Sequence, residues 1–447
     1  MGPVFVYTAF AVICLGSLFR PSVGAVGYIG FVAFTPQWLW RFQLDSTFPF
    51  QKWIAVCLIV GWLFNFLKTK NLDRSSLIPL GSLALVLGLA HLSSLQSYAP
   101  EQSEFFLRQF NKIVLMTLLI TLTLSSGVAL RSAIWVMAIG ITFNAFEINS
   151  DYYQRGYSLV NQDGWSNMNA NAYALVMLIG VFLTFCLAVH AKSSLTTIAW
   201  LLSSLINTHA IMIVESRGAM LGLIAGALML LVFMRPTSRN FMLTAAIGFG
   251  ILFLTGPVVV KEFSSIFAEK LDNSGESRFY IWDAGVRLTL DYPMLGVGPW
   301  AGECLLPTYY SGTDKLGTDK IALHNLELEV STGMGIPAVI AYLIFFFVPW
   351  NSARKILWQQ RRTPSPLASA TVQCAVIAIP GYWVASQFNS GALVEIPYLF
   401  VSVLIADVIH SRRDNPALRA HFDSLTDKRV ASQQESVLPP RVLQGNA

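Results

Sequence analysis

Hydrophobic runs of about 17–22 residues, each long enough to cross the hydrocarbon core as a helix, follow one another along almost the whole chain. They predict spans near 3–19, 22–36, 51–67, 77–95, 111–127, 130–146, 170–190, 194–214, 217–234, 240–258, 325–349, 366–387 and 391–409. The first two are short, and a re-entrant hairpin is their alternative form. One polar stretch, roughly 261–324, interrupts the pattern. The C-terminal 411–447, with Pro439-Pro440 and several Ser and Gln, has the composition of a disordered tail. The resulting organisation is N-terminal spans (1–258), a long loop containing short helices (259–324), C-terminal spans (325–410) and the tail (411–447).

Composition narrows the class. The chain is 54% hydrophobic and 12% charged, against about 25% charged in soluble proteins. Only helices and closed barrels satisfy the backbone in lipid, and runs this long are not barrel strands. An all-α polytopic membrane protein with about 12–13 transmembrane helices is expected, with the lipid bilayer as its surroundings and no nucleic-acid partner. The run before Arg20 lacks a basic n-region and an A-x-A-like cleavage site, so the first span is expected to stay. Five cysteines without CxxC or Cys/His spacing indicate neither a disulfide framework nor a zinc site. The absence of an internal repeat weakens an inverted-repeat transporter.

Charge sets orientation. Lys68, Lys70, Arg74, Arg131, Lys192, Arg235, Arg239, Arg354, Lys355, Arg361, Arg362 and the tail from His410 all fall on one side of the alternating spans. The positive-inside rule assigns that side to the cytoplasm. Segments 37–50, 95–110, 147–169, 259–324 and 388–390 then lie outside, and so do the helix starts at Arg217 and His324.

Ionisable groups at membrane depth are costly and persist mainly where they are used, which directs attention to the 261–324 loop and its flanks. Arg217 opens a helix with a small-residue face, Gly218-xxx-Gly222-xxx-Gly226, that lets a neighbouring helix approach closely. Its guanidinium reads either as a snorkelling anchor or as a fork for phosphate oxygens, reinforced by the helix N-terminus. Residues 276–287 read as an amphipathic helix capped by Ser274 or Ser277, with Phe279, Trp282, Val286 and Leu290 on its apolar face. Asp283 and Arg287 form an ordinary i,i+4 pair. Arg278 has no acid one turn downstream and is the preferred anion-binding cation of the two. Pro293 ends the helix, and Gly296 and Gly298 read as a tight turn rather than a phosphate cradle. His324-Asn325 begins the next span, with Glu327 placed to face the imidazole, fix its tautomer and raise its basicity. A further polar cluster from Glu147 to Asn171 suits sugar hydroxyls and ring faces as well as it suits a solvated loop with an aromatic belt.

The order Ser-Arg-Gly helix, loop with Arg-x-x-x-Trp and Pro-x-x-Gly-x-Gly, then a helix opening with His-Asn and reaching Gly335-Ile336 resembles the O-antigen ligase / O-antigen polymerase membrane family over about residues 160–345. Phe19-Arg20-Pro21-Ser22-Val23-Gly24 and Thr35-Pro36-Gln37 are similar to its O-glycosylation ligase branch found beside exosortase systems. The resemblance implies a GT-C-like, metal-independent, cofactor-free enzyme of the bacterial inner membrane, working at the periplasmic face on an undecaprenyl-diphosphate-linked glycan. It carries the catalytic roles onto Arg217, Arg278 and His324. Trp282, Arg287, Asn325 and Glu327 follow as substrate-binding candidates. Glu327 and Glu329 with Ser331-Thr332 depart from a uniformly apolar face after His324. The acceptor, whether glycan, lipid or protein, is not legible, so a polymerase of the same family is the near alternative. A lipid-linked oligosaccharide flippase is the distant one, and it would place cations along a central cavity at mid-depth.

Overall fold

A computed structural model of the chain describes residues 2–45, 47–65, 73–234, 237–254, 273–312, 320–362 and 369–414. Its elements are helical: α1 (Gly2–Phe19), α2 (Pro21–Phe34), α3 (Pro36–Leu39), α4 (Phe50–Phe64), α5 (Arg74–Ser94), α6 (Pro100–Thr123), α7 (Gly127–Arg155), α8 (Leu159–Asp163) and α9 (Ala170–His190). They continue with α10 (Ser194–Ile213), α11 (Arg217–Phe233), α12 (Ser238–Leu254), α13 (Asn273–Asp291), α14 (Gly302–Leu305), α15 (Leu326–Met334), α16 (Ile336–Arg362), α17 (Ala370–Ser386) and α18 (Glu395–Asp414). Seven of the described helices are long and apolar enough to cross a membrane, and α4, α11 and α17 are shorter apolar helices. The protein is an all-α polytopic membrane protein.

A helix lies over each of the thirteen predicted spans, with local departures that have local causes. Pro100 at the first helical turn starts α6 eleven residues before its apolar run (100 against 111). The helix α7 continues to Arg155 and stops at left-handed Gly156, so 147–155 is helix rather than loop. The 325–349 span is two helices, α15 and α16, because Gly335 sits at φ 85°. A Cβ there would meet the Met294 carbonyl oxygen at 2.3 Å. Helix starts are set by side-chain caps: Ser126, Asn169, Ser193, Asn325 and Ser369 each accept a backbone N–H, worth about 1 kcal/mol each. The loop segments 255–272 and 313–319 and the tail beyond 414 lie outside the described residues.

Helix α9 is the axis of the bundle, buried over nearly its whole length and packed against α7, α10, α11 and α17. The glycine face of α11 meets α17 as the spacing predicts. A Cβ at Gly222 would lie 2.6 Å from the Gly381 carbonyl oxygen, and one at Gly381 would lie 2.7 Å from that of Gly222. Backbone-to-backbone approach of this kind admits no side chain.

Helix α13 differs from expectation. Its buried face is Ile281, Ala284 and Leu288, packed with Leu323 and Leu328, while Phe279, Val286 and Leu290 are exposed. The small residues Ala284 and Gly285 allow the close approach; a Cβ at Gly285 would meet the Leu323 side chain at 2.8 Å. Ser277 lies inside this helix rather than capping it. The turn after Pro293 is structural, as its two glycines suggest. Val297 N–H and Gly298 N–H donate to the carbonyls of Thr332 (2.9 Å) and Gly333 (3.1 Å), docking the turn on the end of α15.

Candidate functional site

A cavity of about 840 Å³ opens where 31–41, 105–113, 166–176, 300–303, 320–329 and 390–396 meet. Residue charge assigned the loops 37–50, 95–110, 147–169, 259–324 and 388–390 to one side of the membrane, and each either lines this cavity or directly adjoins a lining residue. At the opposite end Arg412 pairs with Asp73 at 3.3 Å, joining two groups that the same assignment put on the basic side.

Among the described residues, six non-glycine residues have left-handed backbones: Thr35, Ser166, Asn167, Glu215, Trp300 and His324. Five of them line the cavity; the sixth, Glu215, stands two residues before Arg217. Such conformations cost about 1–3 kcal/mol each and survive only where the surroundings over-determine them. Here the surroundings are visible. Asn144, fully buried in α7, accepts from Trp165 Nε1 (2.8 Å) and Thr35 Oγ1 (3.0 Å) and donates to the carbonyls of Ala33 and Phe34. One carboxamide thus pins both the 33–35 and the 165–168 turns to the cavity rim.

His324 is half-buried at φ 46°, and its imidazole makes no hydrogen bond to protein among the described residues. Burial, and then the Arg278 guanidinium, hold its pKa below the usual 6.5. The ring is therefore neutral at pH 7, with a lone pair available. Trp282 Nε1 donates to the Leu323 carbonyl (3.1 Å) and its ring packs against Phe388 at 5.8 Å. The start of α11 packs against the same residue, for a Cβ on Gly218 would lie 2.7 Å from Phe388 Cβ. Phe388 thus lies against both the start of α11 and Trp282 of α13, whose indole holds the carbonyl before His324. Arg217 is half-buried, and both arginines interact with neighbouring groups.

The other candidates have internal partners. Asn325 caps α15 through Leu328 N–H (3.0 Å) and donates to Gln387. Glu327 accepts from Trp383 Nε1 (2.9 Å), and no hydrogen bond joins it to His324 among the described residues. Arg287 pairs with Asp283 at 2.7 Å and donates to the Tyr309 carbonyl, as an i,i+4 pair should. Of the seven candidates, His324 alone lines the cavity among the described residues.

Of the rest of the lining, Asn167 and Asn169 belong to the polar cluster read from sequence and Glu329 to the departure from an apolar face, while the charged pairs were not singled out. Glu329, 3% exposed, accepts from Trp300 Nε1 and from Gly391 N–H (3.1 Å). The departure from an apolar helix face is thus a carboxyl that holds Trp300 and the 390–394 turn. Lys320 pairs with Glu303 at 3.1 Å and lies over the Trp300 ring at 5.4 Å. Burial raises the Glu303 carboxyl above its usual range, and Lys320 pulls it partly back. Lys112 pairs with Glu395 at 3.5 Å. The signal for this last pair was present, since both are ionisable residues at the edge of apolar runs, but the 283-residue separation (395 − 112) concealed it.

A polytopic helical membrane protein with a cavity that His324 lines is the class these observations define. Residues 202–343 match the family described as O-antigen ligase, so the chain carries a domain of the O-antigen ligase family. All seven candidates fall inside that segment; the 31–41, 105–113, 166–176 and 390–396 walls of the cavity fall outside it. No curated protein matches the chain.

Proposed function

We propose that the protein transfers a glycan from an undecaprenyl-diphosphate carrier to an acceptor hydroxyl at the periplasmic face of the bacterial inner membrane. His324 removes the hydroxyl proton as the acceptor oxygen attacks the anomeric carbon. The bond from that carbon to the diphosphate oxygen breaks, its electron pair leaves with the diphosphate, and configuration inverts in the single displacement. Arg217 and Arg278 hold the diphosphate and stabilise the charge it gains; the two guanidiniums take the part that a divalent cation plays in other glycosyl transfers.

The observation that carries this reading is an imidazole that lines the cavity without a protein hydrogen bond among the described residues and is held neutral by burial and by the Arg278 guanidinium. A general base must be unprotonated and within reach of its substrate, and both burial and Arg278 act in that direction. The cavity walls come from one end of the bundle, which favours transfer at a surface over passage through the membrane.

The test is glycan transfer by the full-length protein in liposomes loaded with lipid-linked donor. His324→Ala should lower the rate about 10²–10⁴-fold, and Arg217→Lys should also impair it because a point charge loses the bidentate fork. Wild-type transfer by His324→Ala sinks the proposal. Wild-type transfer by Arg217→Lys reduces Arg217 to an anchor. Growth of a ladder on the carrier would identify a polymerase, and one-step appearance on a new acceptor a ligase.

A further inference from the structure

We infer that a groove between α1, α2 and α7 holds an anionic phospholipid of the cytoplasmic leaflet, with an acyl chain along the groove and the phosphate at Arg20.

The groove encloses about 950 Å³. Both α1 and α7 pack on α2, which forms the floor. The helices close on that floor at defined points: a Cβ on Gly27 would lie 2.3 Å from Ile13 Cγ2, and one on Gly30 would lie 2.8 Å from Val136 Cγ1. Phe5, Ala9 and Ile13 form one wall as a single stripe of α1. Val128, Ser132 and Val136 do the same for α7. Walls this apolar suit a hydrocarbon chain.

The two ends of the groove differ. At the cavity end Trp40 lies across the start of α1, since a Cβ on Gly2 would meet its indole nitrogen at 2.3 Å. At the other end, which the alternation of loop charge assigns to the cytoplasm, the lining becomes polar with Arg20, Ser22, Ser126 and Ser132. Arg20 is exposed, and its guanidinium makes no ion pair or hydrogen bond to protein among the described residues. Pro21 starts α2 directly after it, so the Arg-Pro-Ser sequence sets a cation and a hydroxyl together at the groove mouth.

A guanidinium beside hydroxyls suits a phosphodiester at headgroup level. No carboxylate lines the groove among the described residues, so the ammonium of a zwitterionic head would find no partner there. The whole length of α2 separates Arg20 from Thr35 on the cavity rim. The donor diphosphate, read at Arg217 and Arg278, belongs to that rim, and Arg20 therefore serves a different lipid.

The test is native mass spectrometry of the full-length protein released from nanodiscs of equal phosphatidylglycerol and phosphatidylcholine. Phosphatidylglycerol should stay bound in preference, and Arg20→Gln should lower its retention about 10-fold. Ala9→Phe, which fills the groove and leaves Arg20 in place, should lower it as well. Equal retention of the two lipids, or unchanged retention by Arg20→Gln, overturns the inference. Displacement of the phospholipid by an equal concentration of undecaprenyl phosphate gives the groove to a polyprenyl chain and overturns it too.

Discussion

At the scale of the residue, His324 shows how burial and charge prepare a side chain. Desolvation disfavours the imidazolium, and the Arg278 guanidinium repels it. Both hold the group below its usual pKa, so the base form persists to lower pH than in a free histidine. The acid limb of kcat/KM should accordingly fall below pH 6.5, the ordinary imidazole value. Arg278→Gln removes the repelling charge, and the limb of its residual activity should move to higher pH, alongside a rate loss of about 10²–10³-fold. A limb that stays in place, or moves downward, would show that Arg278 does not act on His324. The left-handed backbone at His324 belongs to the same arrangement. Trp282 holds the preceding carbonyl, and Asn325 begins α15 immediately after, so the strained residue is fixed from both sides.

At the scale of the element, close approach of α11 to α17 is what sets the start of α11 against Phe388. The seam depends on Gly222 and Gly381, each of which would drive a Cβ into the other's carbonyl oxygen. Gly222→Val should cost upwards of about 1–3 kcal/mol through overpacking, seen as a lower thermal midpoint and loss of the monodisperse peak in size-exclusion chromatography. Gly88→Val in α5, where a Cβ meets nothing within 4 Å, is the control and should behave close to wild type. Equal behaviour of the two variants would refute the seam. The glycine spacing was legible in the sequence because small residues every four positions mark one helical stripe. The buried face of α13 was not, because the largest apolar residues suggested the wrong stripe. Which face a helix buries depends on what its neighbour can fit, and here the neighbour fits against Ala284 and Gly285.

At the scale of the whole molecule, the cavity joins loops that alternation of charge had put on one side. Substituted-cysteine labelling checks this directly in a cysteine-free background. Phe42→Cys, Glu101→Cys and Thr308→Cys, all at exposed positions, should react with a membrane-impermeant maleimide in intact spheroplasts. Arg131→Cys and Ser194→Cys should react only after permeabilisation. Labelling of the first set only after permeabilisation would invert the topology and remove the periplasmic site. Phe31 and Pro36 line both the cavity and a largely apolar groove of about 950 Å³ between α1, α2 and α7, so the cavity adjoins a lipid-facing surface as well as an aqueous one.

Span positions were legible in the sequence alone, which also nominated a sidedness from loop charge and the Arg217–Arg278–His324 set as candidates. Each rests on a local pattern: apolar run length, the sign of loop charges, or a short motif at a helix end. Tertiary structure alone decided that Glu327 accepts from Trp383, that Glu329 holds Trp300, and that Lys112 and Lys320 are balanced by Glu395 and Glu303. It also decided that the wall facing His324 comes from Gln37, Gln109, Asn167 and Tyr173, outside the family-matched segment. The physical reason is that desolvation and pairing are properties of which groups meet. Their separations in the chain run from 17 residues for Lys320 and Glu303 to 283 for Lys112 and Glu395, and no local pattern records the meeting.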